Sequence, residues 1–164
     1  MRQLTLIRHA KSSWNNAHLT DFERPLNDRG RRNAPVMADR VAKTLPPAGL
    51  LLSSPALRAA NTARIFAQRL GVADEQIEFQ HLIYEAQIDQ LRAVARGLDD
   101  AHRHVIMFGH NPGFSEFLSW LVGSAPVDLP TCAVASLRLE IQSWPQLHAA
   151  CGSLSEYLYP KDGS

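Results

Sequence analysis

The sequence has few cysteines, no long apolar run and almost no net charge, and each shortage excludes a class of protein. Two cysteines among 164 residues can form at most one disulfide, and they cannot alone supply a four-ligand zinc site. No apolar run approaches the roughly 20 residues that a membrane span requires. A formal net charge of +1 gives no electrostatic reason to expect binding to nucleic acid or to a membrane surface. We therefore expect a protein that binds neither nucleic acid nor a membrane.

The bulk composition is that of an ordinary globular domain. With 45% hydrophobic and 20% charged residues, the chain is long enough to enclose a core. It has no internal repeat, and its proline-containing stretches at 46–47 and 125–130 are typical of loops, so we expect a single domain over residues 1–164. The N-terminus enters a strand-like pattern with no charged-then-apolar leader, which predicts a cytoplasmic location with reduced cysteines. We expect a monomer or a weak oligomer.

Short β-like runs alternate with longer helical runs along the chain. The predicted strands are 3–7, 49–52, 76–83, 104–108, 133–141 and 154–159, and the predicted helices are 31–45, 55–70, 88–98 and 112–122. Ser54 suits the N-cap of the second helix, Pro55 its first position and Gly71 its C-terminal stop. This order predicts an α/β fold, a three-layer α/β/α sandwich with a mostly parallel sheet.

Polar side chains follow four of the predicted strands. Arg8 and His9 follow the first strand, Ser53, Ser54 and Arg58 the second, Glu85 the third, and His110 the fourth. In open α/β sheets, ligands usually bind outside the carboxyl ends of the strands. We therefore expect two arginines, two histidines and a carboxylate to meet at one edge of the sheet, although each residue alone would be unremarkable at a solvated strand end.

This set of side chains suits phosphoryl transfer. The planar guanidiniums of Arg8 and Arg58 match a tetrahedral dianion, and helix N-termini near Pro55 and Pro112 would add backbone donors. Nearby cations favour the neutral form of a histidine, which can attack phosphorus and form a phosphohistidine that water then hydrolyses. A second histidine, if protonated, could donate to the transition-state oxygens, and Glu85 could protonate the leaving group. This chemistry needs no metal and no other cofactor, so we expect neither.

Four blocks, in order along about the first 125 residues, resemble the signature of the histidine phosphatase (phosphoglycerate mutase-like) superfamily. They are RHAKSSWN at 8–15, RPLNDRG at 24–30, SSPALRAANTA at 53–63 and GHNPG at 109–113. The short chain and "RHAKS" are most similar to the SixA-type phosphohistidine phosphatases. The resemblance implies the phosphoglycerate mutase-like fold. It also implies His9 as the nucleophile, Arg8 and Arg58 as phosphate ligands, and His110 as the second histidine of the pocket.

The sequence departs from the superfamily pattern at two places. Ala10 stands where most members have glycine, a change that the SixA-like branch accepts. The segment IYEAQ matches the general-acid segment of larger members only loosely, so Glu85 is either that acid or an exposed loop carboxylate. Lys11 and Ser12 follow Arg8 and His9 closely, and they either contact phosphate or only shape the loop; Ser12 is taken as a phosphate contact.

The resemblance and the chain length together favour phosphohistidine in a partner protein as the substrate, with a role in signal transduction. A short chain implies no large cap insertion, and therefore an open pocket that admits a protein side chain. Two alternatives stay open: a small-molecule phosphomonoesterase or phosphoglycerate mutase-like enzyme, and a catalytically silent module that binds phosphate. A cysteine mechanism is disfavoured. Cys132 and Arg138 have the C-x5-R spacing of cysteine-dependent phosphatases, but the segment between them lacks glycine and alternates like a strand.

Overall fold

The computed structural model of the protein describes residues 1–125 and 127–161, and over these residues strands and helices alternate along the first two thirds of the chain. The strands are β1 (Arg2–Arg8), β2 (Leu50–Ser53), β3 (Ile77–Phe79), β4 (His104–Gly109), β5 (Val134–Leu139) and β6 (Gly152–Leu158). The helices are α1 (Asp28–Thr44), α2 (Leu57–Leu70), α3 (Ile88–Arg96) and α4 (Gly113–Val122).

The strands form one sheet in the order β3-β2-β4-β1-β5-β6. The first four strands run parallel to one another. β5 is antiparallel to β1, and β6 is antiparallel to β5. The prediction of an α/β fold with a mostly parallel sheet is confirmed.

Helices cover both faces of the sheet, which gives the three predicted layers. Successive side chains of a strand point to opposite faces, so neighbouring residues of β1 enter different cores. Leu6 joins the apolar cluster beneath α3 and α4, together with Phe114 and Phe117. Ile7 joins the cluster beneath α1 and α2, which includes Phe66. Among the described residues, no helix is both long enough and apolar enough to cross a membrane.

The third strand is shorter than the sequence predicts. Only Ile77–Phe79 pair with β2, and His81–Ile83 form a 3₁₀ helix where the sequence predicts strand to residue 83. The reason is that β3 is an edge strand whose only neighbour, β2, ends at Ser53. Beyond that point a longer strand would have no backbone partner, and the chain turns instead toward α3.

Candidate active site

The sheet register brings the carboxyl ends of β1, β2 and β4 to one edge. Arg8 lies opposite Gly109, and Ser53 lies opposite Phe108. Just beyond the strands, the backbone N–H of His9 donates to the carbonyl of Gly109 at 3.0 Å. The residues that follow these three strands therefore share a single site, as the sequence predicts.

His9 and His110 face each other at this edge. Their ring centroids are 5.2 Å apart, and both side chains are buried. Nδ1 of His9 is 2.7 Å from the carbonyl oxygen of Ala10. Because a carbonyl can only accept a hydrogen bond, Nδ1 carries the ring proton in the neutral form. Nε2 of His9 therefore presents a free lone pair, which is what a nucleophile requires.

The sequence predicts Ser54 as the N-cap of the second helix, but in the structure Ser54 bonds His110 instead. The N-cap of α2 is Ala56, and the Ser54 hydroxyl accepts only a 3.2 Å hydrogen bond from the N–H of that residue. The same hydroxyl lies 2.7 Å from Nε2 of His110. The other ring nitrogen of His110, Nδ1, is buried and has no hydrogen-bond partner among the described residues.

Both histidines are neutral at physiological pH. Burial lowers the pKa of His9 to about 3, and the nearby guanidiniums of Arg58, Arg8 and Arg24 act in the same direction. Burial also lowers the pKa of His110 to about 3, helped by His9 and Arg58. A neutral His9 is the form that is expected of a nucleophile from the sequence. The sequence also allows for a protonated second histidine, whereas burial favours the neutral form of His110.

The two arginines approach the histidines from different elements. Arg58 lies in the first turn of α2, where it is buried, and its guanidinium donates to Asp21. Arg8 ends β1 and donates from Nη1 to the carbonyl of Leu129 at 2.8 Å, while its Nε is buried with no partner among the described residues. The structure therefore brings Arg8, Arg58 and the two histidines together.

Glu85 lies on the wall of a cleft that adjoins this site. The cleft has a volume of about 540 Å³ and is also lined by Arg58 and His110. Glu85 is exposed and has φ of 51°, a left-handed conformation that is uncommon for a residue other than glycine. Its neighbour Ala86 packs against Gly113 at the start of α4, where a Cβ would lie 2.2 Å from the Ala86 carbonyl oxygen. Close packing against a glycine thus fixes the turn that carries Glu85.

Ser12 is placed differently from the other predicted site residues. It is buried, and its hydroxyl accepts a hydrogen bond from the guanidinium of Arg24. The adjacent Lys11 is exposed. The structure gives Ser12 a contact that shapes the loop after β1, and phosphate binding by Ser12 stays a prediction.

Two functional contacts were not foreseen from the sequence. Asp21, in a segment for which the sequence predicts no strand or helix, bonds Arg58, and Tyr84 donates to the Asp21 carboxylate at 2.7 Å. Tyr84 also packs edge-on against His110, with ring centroids 5.6 Å apart. The position of Tyr84 beside Glu85 is the one signal that the sequence offered. Nothing local marks Asp21, because its partners are remote in the chain.

The C-x5-R segment does not form a phosphate loop. Cys132 is buried, and burial raises the pKa of its thiol to about 12, which keeps it protonated. Arg138 lies toward the opposite end of β5, paired with Gln3. The backbone N–H of Cys132 contacts the carbonyls of Arg8 and His9 at 3.1 Å, so its role here is to support the loop after β1. Within residues 1–125 and 127–161, no group of three or more His, Cys, Asp or Glu side chains is arranged to hold a metal ion.

Comparison with known proteins identifies related sequences. Residues 4–93 match the family model of the histidine phosphatase superfamily (branch 1). An uncharacterized chloroplastic protein of Arabidopsis thaliana is 32% identical, over 92% of this chain and 72% of the plant protein.

Solved structures with the same fold include several phosphatases. A SixA protein of Agrobacterium tumefaciens, assigned by inference as a phosphohistidine phosphatase, is 26% identical, with a TM-score of 0.80 over 97% of this chain and 98% of its own. The protein histidine phosphatase SixA in complex with tungstate superposes with a TM-score of 0.83 at 21% identity, over 98% of both chains. A mycobacterial glucosyl-3-phosphoglycerate phosphatase has a TM-score of 0.69 at 14% identity, over 94% of this chain and 97% of its own. The last two likenesses concern the fold alone.

Proposed function

The chain belongs to the histidine phosphatase superfamily, and from that premise we propose that it hydrolyses phosphohistidine in a partner protein through a covalent intermediate on His9. The family match and the likeness to the SixA protein of Agrobacterium tumefaciens support a hydrolase of the phosphatase type. The finer claims concern the nucleophile, its helpers and the substrate, and they rest on the arrangement of the site.

One observation carries the proposal: two buried nitrogens beside His9 lack hydrogen-bond partners among the described residues. They are Nε of Arg8 and Nδ1 of His110. Buried polar groups are rarely left unpaired, because an unmade hydrogen bond costs about 1–3 kcal/mol. The Arg8 nitrogen is a donor, and Nδ1 of His110 is one in the tautomer that accepts from Ser54. An anion with several acceptor oxygens, such as a phosphoryl group, satisfies both at once.

The proposed reaction has two steps that use the same groups. In the first, the lone pair on Nε2 of His9 attacks phosphorus, the N–P bond forms, and the bond from phosphorus to the leaving imidazole breaks as that imidazole takes up a proton from solvent water in the open cleft. Arg8 and Arg58 hold the phosphoryl oxygens while charge redistributes. In the second step, water attacks the phosphorus on His9, the N–P bond breaks, and orthophosphate and the free histidine are released.

A protein-borne phosphohistidine suits this site better than an unactivated ester for two reasons. The imidazole of phosphohistidine leaves readily once it is protonated, so little demand falls on Glu85, which is exposed. The segment between β3 and α3, which carries Glu85, spans only residues 80–87 and adds no cap domain over the cleft. The proposed partner is therefore a phosphorylated protein whose histidine side chain enters the cleft.

A substrate panel tests the proposal. The panel contains a phosphohistidine protein, phosphoramidate, p-nitrophenyl phosphate and sugar phosphates, and it is run with wild type, His9→Gln and His104→Gln. His104 is a matched control, because it is also a buried histidine with a pKa lowered by burial, yet it bonds Thr5 within the sheet. We expect His9→Gln alone to abolish turnover, and phosphohistidine protein to be the best substrate.

The same panel separates the alternatives. The cleft and the likeness in fold to a glucosyl-3-phosphoglycerate phosphatase favour a small-molecule phosphomonoesterase as the second candidate, and small phosphate esters as best substrates would establish it. Orthophosphate binding without turnover of any substrate would establish the silent phosphate-binding module. Full turnover by His9→Gln would exclude the proposed mechanism.

A further inference from the structure

Asp21 makes two hydrogen bonds with the guanidinium of Arg58. Nη1 of Arg58 donates to the Asp21 backbone carbonyl at 2.8 Å, and Nη2 donates to the carboxylate oxygen Oδ2 at 3.1 Å. Asp21 begins a 3₁₀ helix, Asp21–Glu23, that packs against α2. Asp21 therefore binds Arg58 through both its backbone carbonyl and its side-chain carboxylate.

The Asp21 carboxylate is itself held from two further directions. Tyr84 donates from its hydroxyl to Oδ2 at 2.7 Å, and Arg24 donates from Nη1 to Oδ1 at 2.8 Å. Arg24 is buried, bonds the hydroxyl of Ser12 and stacks beneath the ring of Trp14, with its central carbon 3.3 Å from the ring centroid. A carboxylate with this many donors has a fixed position, and so does a guanidinium bound to it.

The charge of Asp21 opposes the binding of an anion in the same cleft. Asp21 lines that cleft beside Arg58, and the pKa of its carboxyl is lowered. Partial burial raises that pKa, but the Tyr84 hydrogen bond and the Arg58 cation outweigh it, so Asp21 is ionised at neutral pH. An ionised carboxylate has no proton to give a leaving group, and it repels phosphate. Any net gain in phosphate binding or turnover from Asp21 must therefore come through the side chains that it hydrogen-bonds.

We propose that Asp21 is a positioning residue, which promotes phosphoryl transfer only by fixing the guanidinium of Arg58. An arginine side chain loses much rotamer freedom when it is held in one geometry. Asp21 fixes the Arg58 side chain before substrate binds, so the loss of rotamer freedom does not weaken substrate binding. This inference rests on the proposed role of Arg58 as a phosphate ligand.

The test is a double-mutant cycle between Asp21→Ala and Arg58→Met. Arg58→Met keeps most of the volume of the side chain and removes its donors and charge. Two quantities are measured on all four proteins: the affinity for orthophosphate by calorimetry, and the turnover of p-nitrophenyl phosphate. Asp21→Asn, which keeps the size of the residue, replaces Asp21→Ala if thermal unfolding shows that the alanine variant does not fold.

The matched control is Asp39→Ala. Asp39 in α1 bonds Arg69 in α2 with both carboxylate oxygens, so it is also an aspartate paired with an arginine of α2, but Arg69 is about half exposed whereas Arg58 is buried. Exposed pairs of this kind contribute little, so we expect Asp39→Ala to change either quantity less than about twofold.

The proposal predicts opposite outcomes in the two backgrounds. With Arg58 present, Asp21→Ala lowers turnover about tenfold or more, a size typical of directly coupled residues. With Arg58→Met, the same change leaves turnover unaltered or raises it, because only the repulsion is removed. Asp21→Ala should likewise change the affinity for orthophosphate about tenfold less favourably with Arg58 present than in the Arg58→Met background.

Equal effects of Asp21→Ala in the two backgrounds would overturn the inference, as would a gain of affinity or rate in the wild-type background. If wild type binds orthophosphate but turns over no substrate, the proposed function fails while the affinity cycle still decides the inference. If wild type binds no orthophosphate, both proposals fail together.

Discussion

His9 and His110 lie at a ring-centroid separation of 5.2 Å, and each is anchored through one ring nitrogen; Nδ1 of His110, its other nitrogen, has no partner in the part of the chain that the structure describes. His9 is anchored through Nδ1 by Ala10, and His110 through Nε2 by Ser54. The two histidines follow β1 and β4, which pair directly. The spacing between the two imidazole rings is therefore set by the register of the sheet.

Removal of the Ser54 hydroxyl should release His110. We expect Ser54→Ala to lower kcat about tenfold, the equivalent of one buried hydrogen bond. The control is Ser53→Ala, a buried neighbour whose hydroxyl bonds the Ser54 carbonyl and is not bonded to His110. Steady-state kinetics on phosphoramidate measures both. Equal losses in the two variants would show that the Ser54 contact has no specific role.

The effect of Glu85→Gln should depend on the leaving group. An alkyl phosphate needs a proton from the enzyme as its bond breaks, so we expect turnover of alkyl esters to fall about a hundredfold or more. The leaving groups of p-nitrophenyl phosphate and phosphoramidate depart without that proton, so turnover of these two substrates should change little. Glu78→Gln, at an exposed carboxylate on β3, is the control. Equal losses on all substrates, or no loss on alkyl esters, would argue against an acid role.

Gly113→Ala should displace the turn that carries Glu85. The new methyl group would lie 2.2 Å from the Ala86 carbonyl oxygen, so the backbone must move. We expect the free energy of unfolding to fall by about 1–3 kcal/mol, and turnover of alkyl esters to fall with it. At Gly97 the nearest atom to an added methyl group is 3.4 Å away, so Gly97→Ala is a glycine control without a clash. Urea unfolding and kinetics compare the two variants, and equal effects would contradict the prediction.

Acid should destabilise the protein through its buried histidines. The pKa values of His9 and His110 are lowered from 6.5 to about 3, so between these values the unfolded chain binds protons that the folded protein does not. Stability is therefore fully present above pH 6.5 and falls as the pH drops, by about 1.4 kcal/mol per pH unit for each histidine. Urea unfolding between pH 7 and pH 5 measures the slope, and His9→Gln should reduce it. A flat profile in wild type would refute the prediction.

The site residues that could be predicted from the sequence directly follow strands and lie within continuous sequence blocks. Arg8, His9 and His110 are fixed by strand ends, and a parallel sheet aligns such ends whatever the details of packing. The role of Asp21 could not be predicted, because its partners Arg58 and Tyr84 lie 37 and 63 positions away.

Tertiary contacts also overrode two local predictions. A serine followed by proline at the start of a predicted helix fits an N-cap by propensity, yet Ser54 lies two residues before the observed N-cap and bonds a histidine that follows another strand. The residues after Phe79 have a strand-like composition, yet they find no neighbouring strand to pair with. In both cases the deciding interaction joins residues that are distant in the chain.

The phosphoenzyme itself tests the central claim most directly. Wild type, His9→Gln and Cys132→Ser are mixed with radiolabelled phosphoramidate, quenched in alkaline detergent and digested to locate the label. The account predicts a label on His9 that survives alkali, is lost in mild acid, is absent from His9→Gln and is retained in Cys132→Ser. A label on Cys132, or an undiminished label in His9→Gln, would contradict it.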